Sequence, residues 1–93
     1  MKIGILGCGA MAEKFAETLV QMEEVECYGA ASRTKERAVE FAKQYGFKNA
    51  YGSYEELCKD SEVELIYIAT PHSCHYENME LCIRYKKPVL CEK

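Results

Sequence analysis

The sequence predicts an α/β fold, a parallel sheet wound with helices, with about five strands in the order 3-2-1-4-5. Three observations carry that expectation. Short apolar segments of strand length alternate along all 93 residues with amphipathic segments of helical period. The first apolar segment runs directly into a glycine-rich turn, Gly7 to Ala12, which opens a helix. Segment 64–70, "ELIYIAT", reads as a strand buried on both faces, as a sheet covered by two helical layers requires. Strands joined through helices form right-handed βαβ units, and those units pair in parallel.

Each element has its own signal. "KIGILG" (2–7) is a short apolar strand. Residues 10–22 carry Met11, Phe15, Leu19 and Met22 at helical spacing, which predicts one apolar stripe. "VECYGAAS" (25–32) is a second strand of small and apolar residues. Thr34 offers an N-cap to a helix carrying Ala38, Phe41, Ala42 and Tyr45, and Gly46 stands where a left-handed stop is expected. "NAYG" (49–52) is a weak strand, and Ser53 with Glu56 forms a capping-box pattern that opens a short helix through Leu57 and Cys58. After strand 64–70 and Pro71, a helix over 73–85 is expected to turn Tyr76, Met79, Cys82 and Ile83 inward. Lys86, Lys87 and Pro88 end it and lead into a last strand, "PVLCE".

Composition narrows the function classes. An apolar fraction of 48% and a charged fraction of 29% are those of an ordinary globular domain. A net charge of -3 with no basic patch gives no reason to propose nucleic-acid binding. No segment approaches the run of about 18 apolar residues that spans a membrane. "IGILGCGAMA" is followed at once by Glu13 and Lys14, so it reads as a buried strand and turn rather than a signal peptide. A cytoplasmic location is expected. The six cysteines fall mostly in apolar runs and on apolar helix faces, with no C-x-x-C pair, which favours free thiols over a disulfide scaffold or structural zinc. "HSCH" (72–75) brings two imidazoles and a thiol together, but no further ligand set accompanies them, and no metal is expected.

The glycine turn carries the first functional signal. "GCGAMA" comprises Gly7, Cys8, Gly9, Ala10, Met11 and Ala12 and matches G-x-G-x-x-G/A between a strand and a helix. Gly7 permits the tight turn, Gly9 lets a pyrophosphate approach the backbone, and Ala12 lets helix and strand pack closely. The helix N-terminus then offers unpaired N–H groups and a partial positive charge to the phosphates. "LGCG" also resembles the turn of methyltransferases that bind S-adenosylmethionine, but the acidic residue usual two positions before their first glycine is Ile5 here. Dinucleotide binding in a Rossmann-type domain is the reading favoured.

The end of the second strand bears on which dinucleotide. An acid about 20 residues beyond the glycines would hold the adenosine ribose of NAD. Here that place is taken by Ser32 and Arg33, followed by Thr34 and Lys35. A hydroxyl and a guanidinium suit a 2′-phosphate, so NADP is expected over NAD.

With the turn and "ASR" behind it, "ATPHSCHYENMELCIRYKKPVLCEK" (69–93) resembles the glucose–fructose oxidoreductase/inositol dehydrogenase/MocA family of nicotinamide-dependent oxidoreductases. The likeness spans the chain and, within the family, is greatest to the dihydrodiol dehydrogenase-like members. It implies that Ala69, Thr70 and Pro71 line the cofactor, and that His72, which stands where the family commonly has Asn, and His75 lie near it. Glu92 and Lys93 match the start of the family's Glu-Lys-Pro signature. The resemblance makes Lys93 the catalytic or substrate-orienting residue beside the nicotinamide, with Glu92 positioning it or contacting the ribose. An ammonium there can polarise a carbonyl and help protonate the developing alkoxide.

The family's proline and its substrate domain would follow Lys93. Residues 1–93 are therefore expected to be a truncated N-terminal dinucleotide-binding domain, without its C-terminal substrate domain. At full length the protein would move hydride between NADP(H) and a sugar, polyol or related hydroxyl/carbonyl compound, a small-molecule partner that only the further domain would admit. These residues alone would be inactive, and the alternative is a non-catalytic dinucleotide-binding or interaction module. An unfinished sheet leaves an edge and a helix face uncovered, which predicts self-association.

Overall fold

The computed structural model describes residues 1–70 and 75–91. In chain order the elements are β1 (Lys2–Leu6), α1 (Ala10–Leu19), β2 (Glu26–Ala31), α2 (Lys35–Tyr45), β3 (Asn49–Tyr51), α3 (Tyr54–Lys59), β4 (Leu65–Ile68), α4 (His75–Arg84) and β5 (Val89–Cys91). The five strands form one sheet in the order β3-β2-β1-β4-β5. Every pairing is parallel, as the sequence predicts. Strand β1 is central, and four of its five residues are buried.

Alternation along the strands divides the core between the two faces. Ile3, Ile5, Ala30 and Tyr67 pack with Ala12, Ala16 and Leu19 of α1 and Phe41 and Ala42 of α2. Leu6, Ala31, Ile66 and Ile68 pack on the other face with Leu57 and Cys58 of α3 and Cys82 of α4. On the first face, fully buried alanines bring α1 close to the sheet. Phe15 beside them stacks on Tyr67, with ring centroids 3.6 Å apart.

The second face achieves close approach differently. Gly4 and Gly29 are register partners on neighbouring strands. A Cβ on Gly29 would lie 2.8 Å from Leu57 Cδ1, and one on Gly4 would lie 2.9 Å from the same atom. The two glycines thus form a hollow in the sheet that Leu57 fills, with the Tyr51 ring sharing the space over Gly29. The β1–β2 register shifts between Ile3 and Gly4, so Ile3 pairs with Cys27 while Gly4 pairs with Gly29. This irregularity brings the two glycines opposite one another.

The end signals are realised in part. Gly46 adopts φ 75° and its N–H donates to Ala42 O, stopping α2 as expected. Thr34 has the extended backbone of an N-cap but makes no side-chain cap bond. Ser53 Oγ accepts from Glu56 N–H at 3.2 Å, while the Glu56 carboxylate accepts from Gly52 N–H. The return bond of the capping box is therefore displaced by one residue.

Two expectations require correction. The first helix ends at Leu19, not at 22, because turn bonds from Gln21 to Thr18 O and from Met22 to Leu19 O redirect the chain. Met11 and Met22 are exposed, and alanines take the inward positions expected of them. On α4, only Cys82 of the predicted inward set is buried; Tyr76 is 78% exposed, Ile83 66% and Met79 38%. The inward side is Asn78 and Cys82, flanked by Leu81 and Tyr85. A buried polar Asn is acceptable there because Thr70 supplies its hydrogen bond. Apolar periodicity alone follows the wrong stripe. Among the described residues no helix is long and apolar enough to cross a membrane.

Candidate functional site

The carboxyl ends of β1, β2 and β4 meet at one edge of the sheet, and the sequence-predicted residues that the structure describes gather there. Gly7 follows β1 with φ 96°, a left-handed conformation that a side chain would oppose. Its N–H donates to Ala31 O at 2.8 Å, linking the turn to the end of β2. A Cβ on Gly7 would meet Thr70 Cγ2 at 3.1 Å and the Ala69 carbonyl at 3.2 Å, so the turn also nests against the end of β4. Ala69 N–H donates to Leu6 O at 2.9 Å, which completes that junction.

Gly9 is the N-cap of α1. Among the described residues, its chain neighbours aside, no atom lies within 4 Å of the place where its Cβ would be, so the missing side chain leaves open space over the turn. The first bond of the helix runs from Glu13 N–H to Gly9 O at 3.0 Å. The N–H groups of Ala10, Met11 and Ala12 therefore precede the intrahelical ladder and have no partner within it. No side chain caps this end. Ala12 is fully buried against the sheet, while Met11 is 45% exposed at the rim. A glycine cradle, open N–H groups and a positive helix end fit a diphosphate.

Cys8 is buried, with Sγ donating to Ala31 O at 3.6 Å. Burial pushes its thiol up to about 11, only partly opposed by the Arg37 guanidinium, so Cys8 is a neutral packing residue at physiological pH. Arg37 Nη2 donates to Cys8 O at 2.7 Å, reaching from the first turn of α2 to the glycine turn. It also lies 3.9 Å from Glu13 Oε2, while the other oxygen of Glu13 accepts a bond from Tyr45. Glu13 is thereby engaged by α2.

Ser32 follows β2 and is half-buried, its N–H donating to Tyr51 O at 3.2 Å. Arg33 is exposed and lines a cleft of about 340 Å³ with Gly52, Ser53, Tyr54, Glu77 and Asn78. Thr70 is 6% exposed and donates its hydroxyl to Asn78 Oδ1, while its methyl faces the glycine turn. Thr70 thus ties the turn to α4.

His75 opens α4. Pro71, His72, Glu92 and Lys93 lie outside the described residues, as does most of the "HSCH" cluster. Among the described residues no group of three or more His, Cys, Asp or Glu side chains could hold a metal. Two residues emerge that the sequence reading passed over. Arg37 stands four positions after Arg33, a one-turn spacing that places a second cation at the same helix start. Asn78 is a polar residue within an otherwise apolar helical stripe, which is a signal for a specific buried bond.

Known proteins share this arrangement. The description "oxidoreductase family, NAD-binding Rossmann fold" matches residues 1–93. The chain is 42% identical over 95 residues to trans-1,2-dihydrobenzene-1,2-diol dehydrogenase of Mus musculus, an alignment covering all of this chain and 28% of that enzyme. An NAD-binding oxidoreductase from Klebsiella pneumoniae superposes with a TM-score of 0.94 at 28% identity, covering 100% of this chain and 27% of the other. KijD10, a 3-ketoreductase from Actinomadura kijaniata in complex with NADP, superposes with a TM-score of 0.92 at 29% identity, covering 100% of this chain and 29% of the other. The chain thus spans just over a quarter of the length of these relatives. The chain belongs to the glucose–fructose oxidoreductase/inositol dehydrogenase/MocA family and carries that family's NAD(P)-binding Rossmann fold.

Proposed function

We propose that this domain binds NADP(H) in preference to NAD(H), and serves an oxidoreductase acting on a sugar, polyol or related hydroxyl/carbonyl compound. The observation that carries the cofactor preference is the cationic end of β2. Ser32 and Arg33 stand where an NAD-selective site has its acid, and Arg37 reaches the glycine turn with its guanidinium 2.7 Å from Cys8 O. A 2′-phosphate between them would gain charge-assisted bonds, whereas a bare ribose hydroxyl would gain little. The NADP bound by the similar 3-ketoreductase supports the same preference. The names of the relatives, a diol dehydrogenase and a ketoreductase, support the substrate class.

The nicotinamide, when bound, supplies or accepts the hydride. This chain's residues bind and orient it. The N–H groups at the start of α1 hold the diphosphate, with Gly7, Cys8 and Gly9 shaping the turn. As the family resemblance implies, Ala69, Thr70, Pro71, His72 and His75 would border the cofactor, and Glu92 would hold Lys93 in place or contact the nicotinamide ribose. The Lys93 ammonium would donate a proton to the substrate oxygen in reduction, and its neutral amine form would accept that proton in oxidation. Buried Cys8, Cys58 and Cys82 suit the reducing cytoplasm. The exposed stripe of Tyr76, Met79 and Ile83 supports self-association, readable by sedimentation.

Titration of the chain with NADPH and NADH, followed by nicotinamide fluorescence, tests the cofactor preference. NADPH should bind at least about tenfold more tightly, and Arg33→Ala or Arg37→Ala should remove most of that margin, each charge-assisted bond contributing roughly 1.5–3 kcal/mol. Equal affinities in the unaltered chain would refute the NADP reading. Cofactor binding with no carbonyl reduction would identify a dinucleotide-binding module without turnover.

A further inference from the structure

Between α3 and α4, Cys58 and Cys82 bring their sulfur atoms to 3.7 Å. The residues are 24 apart in sequence, on different helices, and both are fully buried. A disulfide requires about 2.05 Å between sulfurs, so rotation about the side-chain bonds and a small approach of α4 towards α3 would close the gap. The surroundings are otherwise apolar, with Leu57, Val63, Ile66 and Ile68 in the same core cluster. Neither dinucleotide binding nor hydride transfer uses these thiols.

We propose that Cys58 and Cys82 form an oxidative modification site, in which a peroxide converts the thiol pair into an intramolecular disulfide joining α3 to α4. The two sulfurs are not equivalent. Either sulfur can donate the hydrogen bond between them, but the Lys87 ammonium lies on the side of Cys58 and favours its thiolate. Lys87 is anchored nearby, its Nζ donating to the Asp60 and Val63 carbonyls at 2.7 Å each. The bond to Cys58 and burial among apolar side chains push the Cys82 thiol up. Cys58 is therefore the attacking sulfur and Cys82 the resolving one.

The chemistry balances with a peroxide as oxidant. The Cys58 thiolate attacks one peroxide oxygen, the O–O bond breaks, and the leaving hydroxide takes a proton to become water. Cys82 then attacks the Cys58 sulfenic sulfur; the S–O bond breaks, the S–S bond forms, and hydroxide leaves with the Cys82 proton as a second water. Two thiols are oxidised and one peroxide is reduced. Since both sulfurs are covered, the reaction follows opening of α4 from α3 and is slow compared with oxidation of an exposed thiol. The bond would close a loop containing β4, Ala69, Thr70 and the start of α4, pinning one wall of the cofactor edge. This inference is independent of which dinucleotide binds.

The test is treatment of the folded chain with hydrogen peroxide, followed by intact mass measurement and peptide mapping without reductant. The expected product has lost the mass of two hydrogen atoms and yields a linked peptide pair containing Cys58 and Cys82. Its thermal midpoint should rise by about 10 °C and return on addition of dithiothreitol. In Cys82→Ser, dimedone should instead label Cys58. Peroxide that adds oxygen to either thiol of the unaltered chain without linking them, or that links other cysteines while this pair stays reduced, would overturn the proposal. Because the unaltered chain gives the deciding result, a variant that failed to fold would not obscure it.

Discussion

The two faces of the sheet reach the same closeness of packing by opposite means. On the α1–α2 face the helices supply the small residues: Ala12, Ala16 and Ala38 are fully buried, and Ala12 and Ala16 share a core cluster with Ile3 and Ile5 of the sheet. On the α3–α4 face the sheet supplies them, with Gly4 and Gly29 hollowed to receive Leu57. The difference follows from what each face positions. Helix α1 must bring its N-terminus over the end of β1, and a small inward residue lets it do so. Helix α3 carries no such duty, and a large side chain seated in a hollow fixes it.

That contrast can be broken from either side. The largest effect is expected at the hollow. Leu57→Ala should cost about 3 kcal/mol in denaturant unfolding, since a fully buried leucine would leave a cavity with two glycines on its floor. Combining it with Gly29→Ala should cost less than the sum of the single changes, because the new methyl would occupy part of that cavity. Full additivity would mean that Leu57 and Gly29 do not share the hollow.

On the other face the expected failure is one of function as well as stability. Ala12→Leu should cost about 2 kcal/mol by overpacking and also weaken NADPH binding, because α1 would be levered away from the glycine turn. Unchanged affinity in a folded Ala12→Leu chain would show that the helix position is not what sets the site. The smallest effect belongs to the short helix. Ser53→Ala should lower stability by about 1 kcal/mol through loss of the bond to Glu56 N–H, and should leave NADPH affinity within about twofold.

The legibility of the sequence varies from element to element rather than from face to face, and the apolar stripe of α1 was only half read, since Met11 and Met22 are exposed. The order of elements, the parallel sheet and the glycine turn were readable because each rests on a local pattern: strand, turn, helix. Helix α2 was readable for the same reason, with Ala38, Phe41 and Ala42 inward and Gly46 at its stop. Helix α4 was not. Its apolar stripe of Tyr76, Met79 and Ile83 is exposed, and its buried side holds Asn78, whose partner Thr70 lies outside the helix, just beyond β4. Local periodicity carries no information about a hydrogen bond that the fold brings together. Arg37 was hidden likewise, since its link to Cys8 O crosses 29 residues of sequence. Leu57 could be assigned to a helix from its neighbours, but the hollow that receives it depends on the register of β1 against β2.

The central claim is that the edge formed by the ends of β1, β2 and β4 is where the dinucleotide sits. Backbone amide chemical-shift mapping of the chain during addition of NADPH tests it most directly. The largest shifts are expected at Gly7, Gly9, Met11, Ala12, Ser32, Arg33 and Thr70, with little change at Val25, Phe47 or Val63 towards the opposite end of the sheet. Saturating shifts centred on that opposite end, or on the exposed side of α4, would contradict it.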